Sequence, residues 1–258
     1  MIPVSWKNEI LPVVVAVIFL GIAAVFVVSL AQTPGRSEGT EEDFRAAAEL
    51  TRRPSPAFVS HALVRVKFDQ PVLLATFTYA GQVDEYKKPS AFKDIWVTVV
   101  PYTRAFCQEY ERLTNADDRQ LNLRLNELLG LPPDKKYDRF VELTVDPKDK
   151  GANLIRPCGN SPLDAETCGP PEFPASESAY SNQPASTPFQ EWMLRKYREN
   201  YTAESPYPWT ALGYTFDWAP RGDSDDFQRY GESEFVIPKD SPIHYVNKFS
   251  TKDYCTPH

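Results

Sequence analysis

The chain has 258 residues, of which 28 are basic and 35 are acidic, so its formal net charge is −7. Basic residues come in pairs at most, such as Arg52-Arg53 and Lys135-Lys136, and the basic stripe of a nucleic-acid-binding surface is therefore not expected. The part after residue 31 is polar, acidic and rich in proline, and its length of about 220 residues is enough to bury a core of its own.

The segment from Ile10 to Ala31 is uncharged and almost wholly apolar. As a helix it would be about 33 Å long, which is enough to cross a hydrocarbon core of about 30 Å. The sequence therefore predicts a retained transmembrane signal-anchor over residues 10–31. The alternative is a cleaved signal peptide, because Ser29-Leu30-Ala31 places small residues where signal peptidase prefers them. Against it, the apolar region of a signal peptide is usually only about 7–15 residues long.

The topology follows from the position of this single span. An N-terminal span usually leaves a long C-terminal domain translocated, and Lys7 before the span adds a small positive-inside bias. We therefore expect a single-pass protein of the bacterial inner membrane. Residues 1–9 would be cytoplasmic, residues 32–56 would form a linker and a juxtamembrane helix, and residues 57–258 would form a periplasmic domain.

The first predicted helix of the external part begins after Thr40, a good N-cap residue that is followed by three acidic residues. It is expected to end near Arg52-Arg53, before Pro54. Its apolar stripe consists only of Phe44, Ala47 and Ala48. Such a thin stripe favours a stalk, or a helix that is lightly docked on the domain.

Three strands are predicted next. Residues 64–68 alternate between apolar and charged side chains, as expected for a half-buried strand. Residues 72–79 are rich in strand-forming side chains on both faces, which indicates a more central strand. Residues 95–100 form the third strand, which Pro101 ends.

Residues 103–130 are helical in character, with two apolar stripes and Gly130 as a stop signal. Residues 140–145 alternate again and predict a fourth strand, and residues 189–200 predict a further helix. The remaining apolar segments are 209–218, 234–237 and 243–246. Together these elements predict an α+β domain with a mainly antiparallel sheet, several helices and long proline-rich loops, the longest over residues 157–188.

The four cysteines are Cys107, Cys158, Cys168 and Cys255, and their even number suits two disulfides in an oxidising compartment. Cys158 and Cys168 bracket a short loop of turn-forming residues and are predicted to pair, which leaves Cys107 for Cys255. A zinc site usually has cysteine pairs two to four residues apart, a spacing that this chain lacks. We therefore expect disulfides, and neither a metal site nor a cofactor.

Residues 209–218 are unusually aromatic. As a strand they would place Tyr214, Phe216 and Trp218 on one face, with Leu212, and Trp209 would stand at the start. One interpretation is an aromatic platform that stacks a sugar ring or a side chain of a partner. The other is a core strand, because protein interiors take up most aromatic side chains.

Three residues are weak candidates for catalysis. Asp217 stands between two aromatic residues, where apolar surroundings raise a carboxyl pKa and suit a general acid. Glu234 is the possible second carboxylate, and His244 is a possible base. The alternative is that they are structural, as most paired carboxylates are. The acidic run 223–226 resembles a calcium loop only at its start, because Phe227 and Gln228 stand where an EF-hand needs a polar residue and glycine.

No catalytic or cofactor motif stands out, and this favours a non-enzymatic envelope protein. We expect a membrane anchor and a periplasmic domain that binds a protein partner, as an accessory or assembly subunit of a membrane complex. The first alternative is an envelope hydrolase for a glycan or peptide that uses Asp217, Glu234 and His244. The second is a carbohydrate-binding module built on Tyr214, Phe216 and Trp218.

Overall fold

This computed structural model describes residues 38–52, 54–171, 187–201, 207–220 and 230–257. In these residues the chain forms an antiparallel sheet of six strands in the order β4-β5-β2-β1-β3-β6. The strands are β1 (Val72–Thr78), β2 (Ile95–Val99), β3 (Arg139–Val145), β4 (Tyr214–Phe216), β5 (Tyr230–Ile237) and β6 (His244–Ser250). The helices are α1 (Glu41–Leu50), α2 (Tyr102–Thr114), α3 (Asp118–Leu128), α4 (Pro188–Tyr201) and α5 (Thr251–Cys255). The predicted α+β class with a mainly antiparallel sheet and several helices is confirmed.

Three earlier predictions fall on residues that the structure does not describe. The N-terminal segment 1–9 and the signal-anchor 10–31 lie outside the described residues, as does the acidic run 223–226. Within the described part of the chain, every helix is too short or too polar to cross a bilayer.

Local sequence signals explain where the helices begin and end. Asp117 accepts a hydrogen bond from the N–H of Gln120, whose side chain in turn accepts from the N–H of Asp117, and this reciprocal cap starts α3. Asn115 ends α2 in the left-handed conformation, with φ of 51°. The predicted helical stretch 103–130 is therefore two helices, because this one residue turns the chain between them.

The two faces of the sheet are covered differently. Phe77 and Phe140 lie on one face, where α2, α3 and α5 pack against them. On the same face α4 packs against Trp96 and Val236. The opposite face carries an aliphatic cluster around Leu74 that is covered by the 3₁₀ segment Ala80–Lys87 and by irregular chain. The helices thus form one layer, and the sheet separates it from a second, less regular layer.

Two predicted strands differ from the structure. Residues 64–68 are extended but outside the sheet, because their main chain bonds to a loop instead: the N–H of Val66 donates to the carbonyl of Leu163. Of residues 209–218 only Tyr214–Phe216 form a strand. The chain turns before it, since Ala211 and Gly213 both have positive φ angles, and the period-two pattern does not extend through such turns.

Helix α1 is docked on the domain more closely than its thin stripe predicts. Phe44 is 4% exposed, and its ring meets that of Trp218 edge to face at 5.7 Å between centroids. Ala47 and Ala48 are also buried. The helix is therefore part of the core rather than a stalk.

Both predicted cysteine pairs are at bonding distance. Cys158 and Cys168 close a ten-residue separation, with Cα atoms 6.0 Å apart. Cys107 on α2 and Cys255 on α5 have Cα atoms 4.9 Å apart. The second pair joins the short C-terminal helix to the helical layer.

Candidate ligand-binding cavity

A cavity of about 420 Å³ lies where β1, β2 and β5 meet the helical layer. Strand residues Phe77, Trp96, Thr98 and Glu234 form part of its wall. The end of α4, the turn after α3 and the segment before β4 form the rest. Its volume is within the range of about 300–1,000 Å³ that is usual for small-ligand sites.

Glu234 is the most unusual group in the wall. Its side chain is buried, and its Oε2 atom has no hydrogen-bonding partner among the described residues. Burial raises the pKa of the carboxyl to about 8, although the side chain of Trp209 offsets part of the rise. At neutral pH the group is therefore mostly a neutral carboxylic acid, which can both donate and accept a hydrogen bond.

Aromatic rings form much of the same wall. Trp96 meets Trp209 edge to face, with the ring centroids 6.1 Å apart, and Trp192 also packs against Trp96. Phe216 and Tyr207 complete the wall near β4. The cavity therefore offers apolar surface around one buried polar group, a combination typical of ligand sites.

Charged groups stand at the two sides of the cavity. Asp94 accepts hydrogen bonds from the N–H of Lys239 (3.0 Å) and the indole of Trp192 (2.9 Å), and it pairs with Lys196 at 3.2 Å. Burial acts to raise the pKa of Asp94, but these partners lower it overall. The contacts of Asp94 with Trp192 and Lys196 fasten α4 to the start of β2. On the other side burial, with a smaller effect of Lys135, lowers the pKa of Lys93.

The central pair of strands separates at the cavity. β1 and β2 are paired only at Leu74↔Val99 and Ala75↔Thr98. β1 nevertheless pairs with β3 along its whole length, and β2 pairs with β5 through Ile95. In the same register the next partners would be Thr76 with Val97 and then Phe77 with Trp96, and neither pair forms in this fully described part of the sheet. The cavity occupies this opening.

Of the three catalytic candidates, Glu234 alone lines the cavity. Both carboxylate oxygens of Asp217 accept hydrogen bonds from the guanidinium of Arg124, at 2.7 and 3.0 Å. His244 is exposed on the edge strand β6, with Nε2 2.6 Å from a carboxylate oxygen of Asp149. Four strand spacings, about 19 Å, separate β6 from β5. The structure therefore does not bring Glu234 and His244 together.

The predicted aromatic platform is buried. Tyr214, Phe216 and Trp218 are 2%, 1% and 0% exposed, so they do not form an aromatic platform on the surface. Trp218 donates its indole N–H to the carbonyl of Leu131, and Tyr214 donates its hydroxyl to the carbonyl of Phe58. These rings fill the core, while Trp209 and Phe216 line the cavity.

Sequence reasoning missed the residues of β1 and β2 at this site. Phe77 and Trp96 belong to ordinary strand patterns, and nothing in those patterns indicates that the two strands separate. The charged pair Lys93-Asp94 directly before β2 is the single local signal. It is weak, because charges commonly precede strands.

The described residues contain no cluster of three histidine, cysteine or acidic side chains that could hold a metal ion. Comparison with protein-family models, with curated proteins and with solved structures gives no match.

The pH dependence of stability is expected to report on Glu234. Its pKa is about 8 in the folded protein, well above that of an exposed carboxyl. As the pH rises, the unfolded chain therefore loses this proton at a lower pH than the folded protein does. The free energy of unfolding should therefore fall between about pH 4.5 and pH 8, by at most about 1.4 kcal/mol per pH unit for this group. Urea unfolding of wild type and Glu234→Gln across this range measures it, and the variant should have the flatter profile.

Glu232 must be considered in the same experiment. Burial raises the pKa of this neighbour on β5 to about 7. Glu232 therefore also lowers the free energy of unfolding as the pH rises, and it does so in wild type and in Glu234→Gln alike. Glu191→Gln on the exposed side of α4 is the control and should leave the profile unchanged. Parallel profiles for wild type and Glu234→Gln would mean that Glu234 titrates normally.

Proposed function

We propose that the protein is a non-enzymatic partner-binding protein and that the cavity receives a group of the partner. The observation that carries this proposal is the Glu234 carboxyl, which is buried in the cavity wall with one oxygen unpartnered among the described residues. A buried polar atom without a partner costs about 1–3 kcal/mol. A ligand that supplies the missing hydrogen bond recovers this energy as affinity.

The placement of the candidate catalytic residues supports binding rather than catalysis. Asp217 is engaged by Arg124 in the core, and His244 lies on the far edge strand. The other two carboxylates that line the cavity, Asp94 and Glu199, both pair with Lys196, at 3.2 and 2.7 Å. Glu234 therefore lacks a free second carboxylate beside it among the described lining residues, which a two-carboxylate glycosidase needs.

We further propose the setting in which this binding takes place. The apolar segment 10–31 would anchor the protein in the bacterial inner membrane, with residues 1–9 in the cytoplasm and the domain in the periplasm. The two cysteine pairs suit such an oxidising compartment. In this setting the protein acts as an accessory or assembly subunit of a membrane complex.

A blocked cavity tests this proposal. Glu199 lies on α4 at the rim, with its side chain half exposed, so Glu199→Trp would place an indole over the opening. Glu191→Trp adds the same indole to the exposed side of the same helix, away from the cavity. Tagged full-length protein is purified from mildly solubilised native membranes, and bound proteins are quantified by mass spectrometry.

We expect a stoichiometric partner with wild type and with Glu191→Trp, and at least a tenfold lower recovery with Glu199→Trp at equal thermal stability. Equal recovery with both variants would show that the partner does not use the cavity. A wild-type protein that purifies alone and is not cross-linked in the membrane would overturn the proposal.

One observation favours a second function, an envelope hydrolase. A carboxyl whose pKa is about 8 in a cavity has the protonation state of a general acid at neutral pH. Wild-type protein would then cleave a glycan or peptide substrate, and Glu234→Gln would lose the basic limb of its pH–rate profile.

A further inference from the structure

The main-chain groups that face the opening between β1 and β2 can be identified from the ladder. The N–H of Val100 donates to the carbonyl of Leu73, so odd-numbered residues of β1 direct their main-chain polar groups toward β2. By the same alternation, even-numbered residues of β2 direct theirs toward β1. Phe77 and Trp96 are the next pair that would exchange two hydrogen bonds, and their register is not formed.

These groups face the cavity from the two sides of the opening. Phe77 and Trp96 both line it, and the paired register of β1 with β2 ends before it reaches them. Unpaired main-chain groups are unusual in the middle of a sheet, since more than about nine in ten buried ones are paired. Two facing strand edges whose ladder has ended have the chemistry that binds another extended chain.

The cavity also passes through the plane of the sheet. Glu234 and Thr98 reach it from the face that the helices cover, whereas Tyr86 and Gln82 reach it from the opposite face. Tyr86 and Gln82 belong to the 3₁₀ segment, and the Tyr86 hydroxyl lies 3.4 Å from the hydroxyl of Thr78 on β1. An occupant therefore meets side chains on both faces, as a strand within a sheet does.

From these observations we propose that the cavity takes an extended peptide segment of a partner protein, which enters the sheet between β1 and β2 as an inserted strand. The inference rests on the proposed function and names its ligand class. One residue of the segment would pair with Phe77, and the next residue would pair with Trp96, because successive residues of a strand use opposite edges. About three residues, some 10 Å of extended chain, fill the opening.

The side chains around the opening give the inserted segment its specificity. Alternate side chains of a strand point to opposite faces, so one side chain of the segment points toward Glu234 and the two beside it point toward Tyr86 and Lys93. A lysine at the first position supplies the hydrogen bond that Oε2 of Glu234 lacks among the described residues. Indole rings of Trp96 and Trp209 nearby favour the same cation.

Amide hydrogen exchange of the full-length protein tests the insertion directly. In the free protein the amides of Phe77 and Trp96 should exchange quickly, while those of Ala75 and Thr98, which are paired across the ladder, should be protected. The probe is a pool of acetylated pentapeptide amides with lysine at the centre and all residues scanned on either side. A member present at 100 times its Kd should slow the first two amides about 100-fold.

Two matched peptides separate strand insertion from recognition of side chains alone. The first carries methyl groups on the main-chain nitrogens of its three central residues, which removes the donors of the peptide, keeps its main chain from approaching the strand edges closely enough to pair, and leaves the side chains in place. The second has norleucine instead of lysine. We expect the first to lose all protection of Phe77 and Trp96, and the second to bind at least tenfold more weakly to wild type but not to Glu234→Gln.

Three outcomes would overturn the inference: no peptide of the pool slows the two amides, the methylated peptide slows them equally, or both are already protected in the free chain. In the last case another segment of this chain fills the opening. If recovery of the partner is still reduced by Glu199→Trp, the cavity would remain the binding site of the partner, and only the inserted strand would be excluded. Failure of the capture experiment itself would overturn the proposed function.

Discussion

Removing the Cys107–Cys255 disulfide is expected to lower the free energy of unfolding by about 5 kcal/mol. The bond joins residues 148 positions apart, and closing so long a loop removes much conformational freedom from the unfolded chain. Both cysteines are buried, and the bond holds α5 against α2. The double variant Cys107→Ala/Cys255→Ala, unfolded in urea without reductant, measures the loss.

Cys158→Ala/Cys168→Ala is the matched control, since it removes a bond of the same kind that closes a separation of only ten residues. Its expected cost is about 3 kcal/mol. Domains are stable by about 5–15 kcal/mol, so the first variant is expected near its folding limit at 25 °C, and the second well above it. Equal losses would contradict the loop-length argument and would point to local packing around each bond.

Arg124→Ala is expected to cost about 3–5 kcal/mol, because it leaves two buried carboxylates without their shared cation. Arg124 is 4% exposed, binds Asp217 with both terminal nitrogens and lies 3.5 Å from a carboxylate oxygen of Glu127. Its guanidinium also lies over the ring of Phe106. Chemical unfolding of the variant and wild type at pH 7 measures the difference.

Arg119→Ala provides the comparison on the same helix. Arg119 binds Glu38 through two hydrogen bonds, but both side chains are largely exposed, and such a pair contributes about 0–1 kcal/mol. The double variant Arg124→Leu/Asp217→Leu should recover only part of the loss, since it removes Asp217 together with the cation but leaves the buried Glu127 without it. If Arg124→Ala were no less stable than Arg119→Ala, the buried ion pair would contribute no more to stability than the exposed one.

Local sequence patterns predicted most of the regular elements well. β1, β2 and β3 lie within about two residues of their predicted bounds, because each is a short run of strand-forming residues with a clear end. Helix α4 matches its predicted range because its apolar residues recur at helical spacing. The cysteine pairing followed from spacing, since the short loop between Cys158 and Cys168 leaves one partner for Cys107.

Other segments followed tertiary contacts that no local pattern contains. Residues 64–68 alternate as a strand does, yet the side chain of the buried Arg156 donates hydrogen bonds to the carbonyls of Val64 and Leu163 and holds the segment against a loop. The segment 209–218 was predicted as one strand, but positive φ angles at Ala211 and Gly213 shorten it to Tyr214–Phe216. Gly213 is a local signal for a turn or a bulge, but Ala211 is not, so the pattern does not show where the strand begins.

The sequence by itself determined the α+β class, the main strands and helices and the two cysteine pairs, because these depend on periodicity, turn residues and spacing along the chain. Only the tertiary structure decided which carboxyl lies in a cavity. Asp217 and Glu234 are similar in sequence context. In the folded chain, however, Arg124 binds the carboxylate of Asp217, whereas the side chain of Glu234 lines the cavity. The separation of β1 from β2 is likewise a property of strands brought together from distant parts of the chain, and it has no local sequence signal.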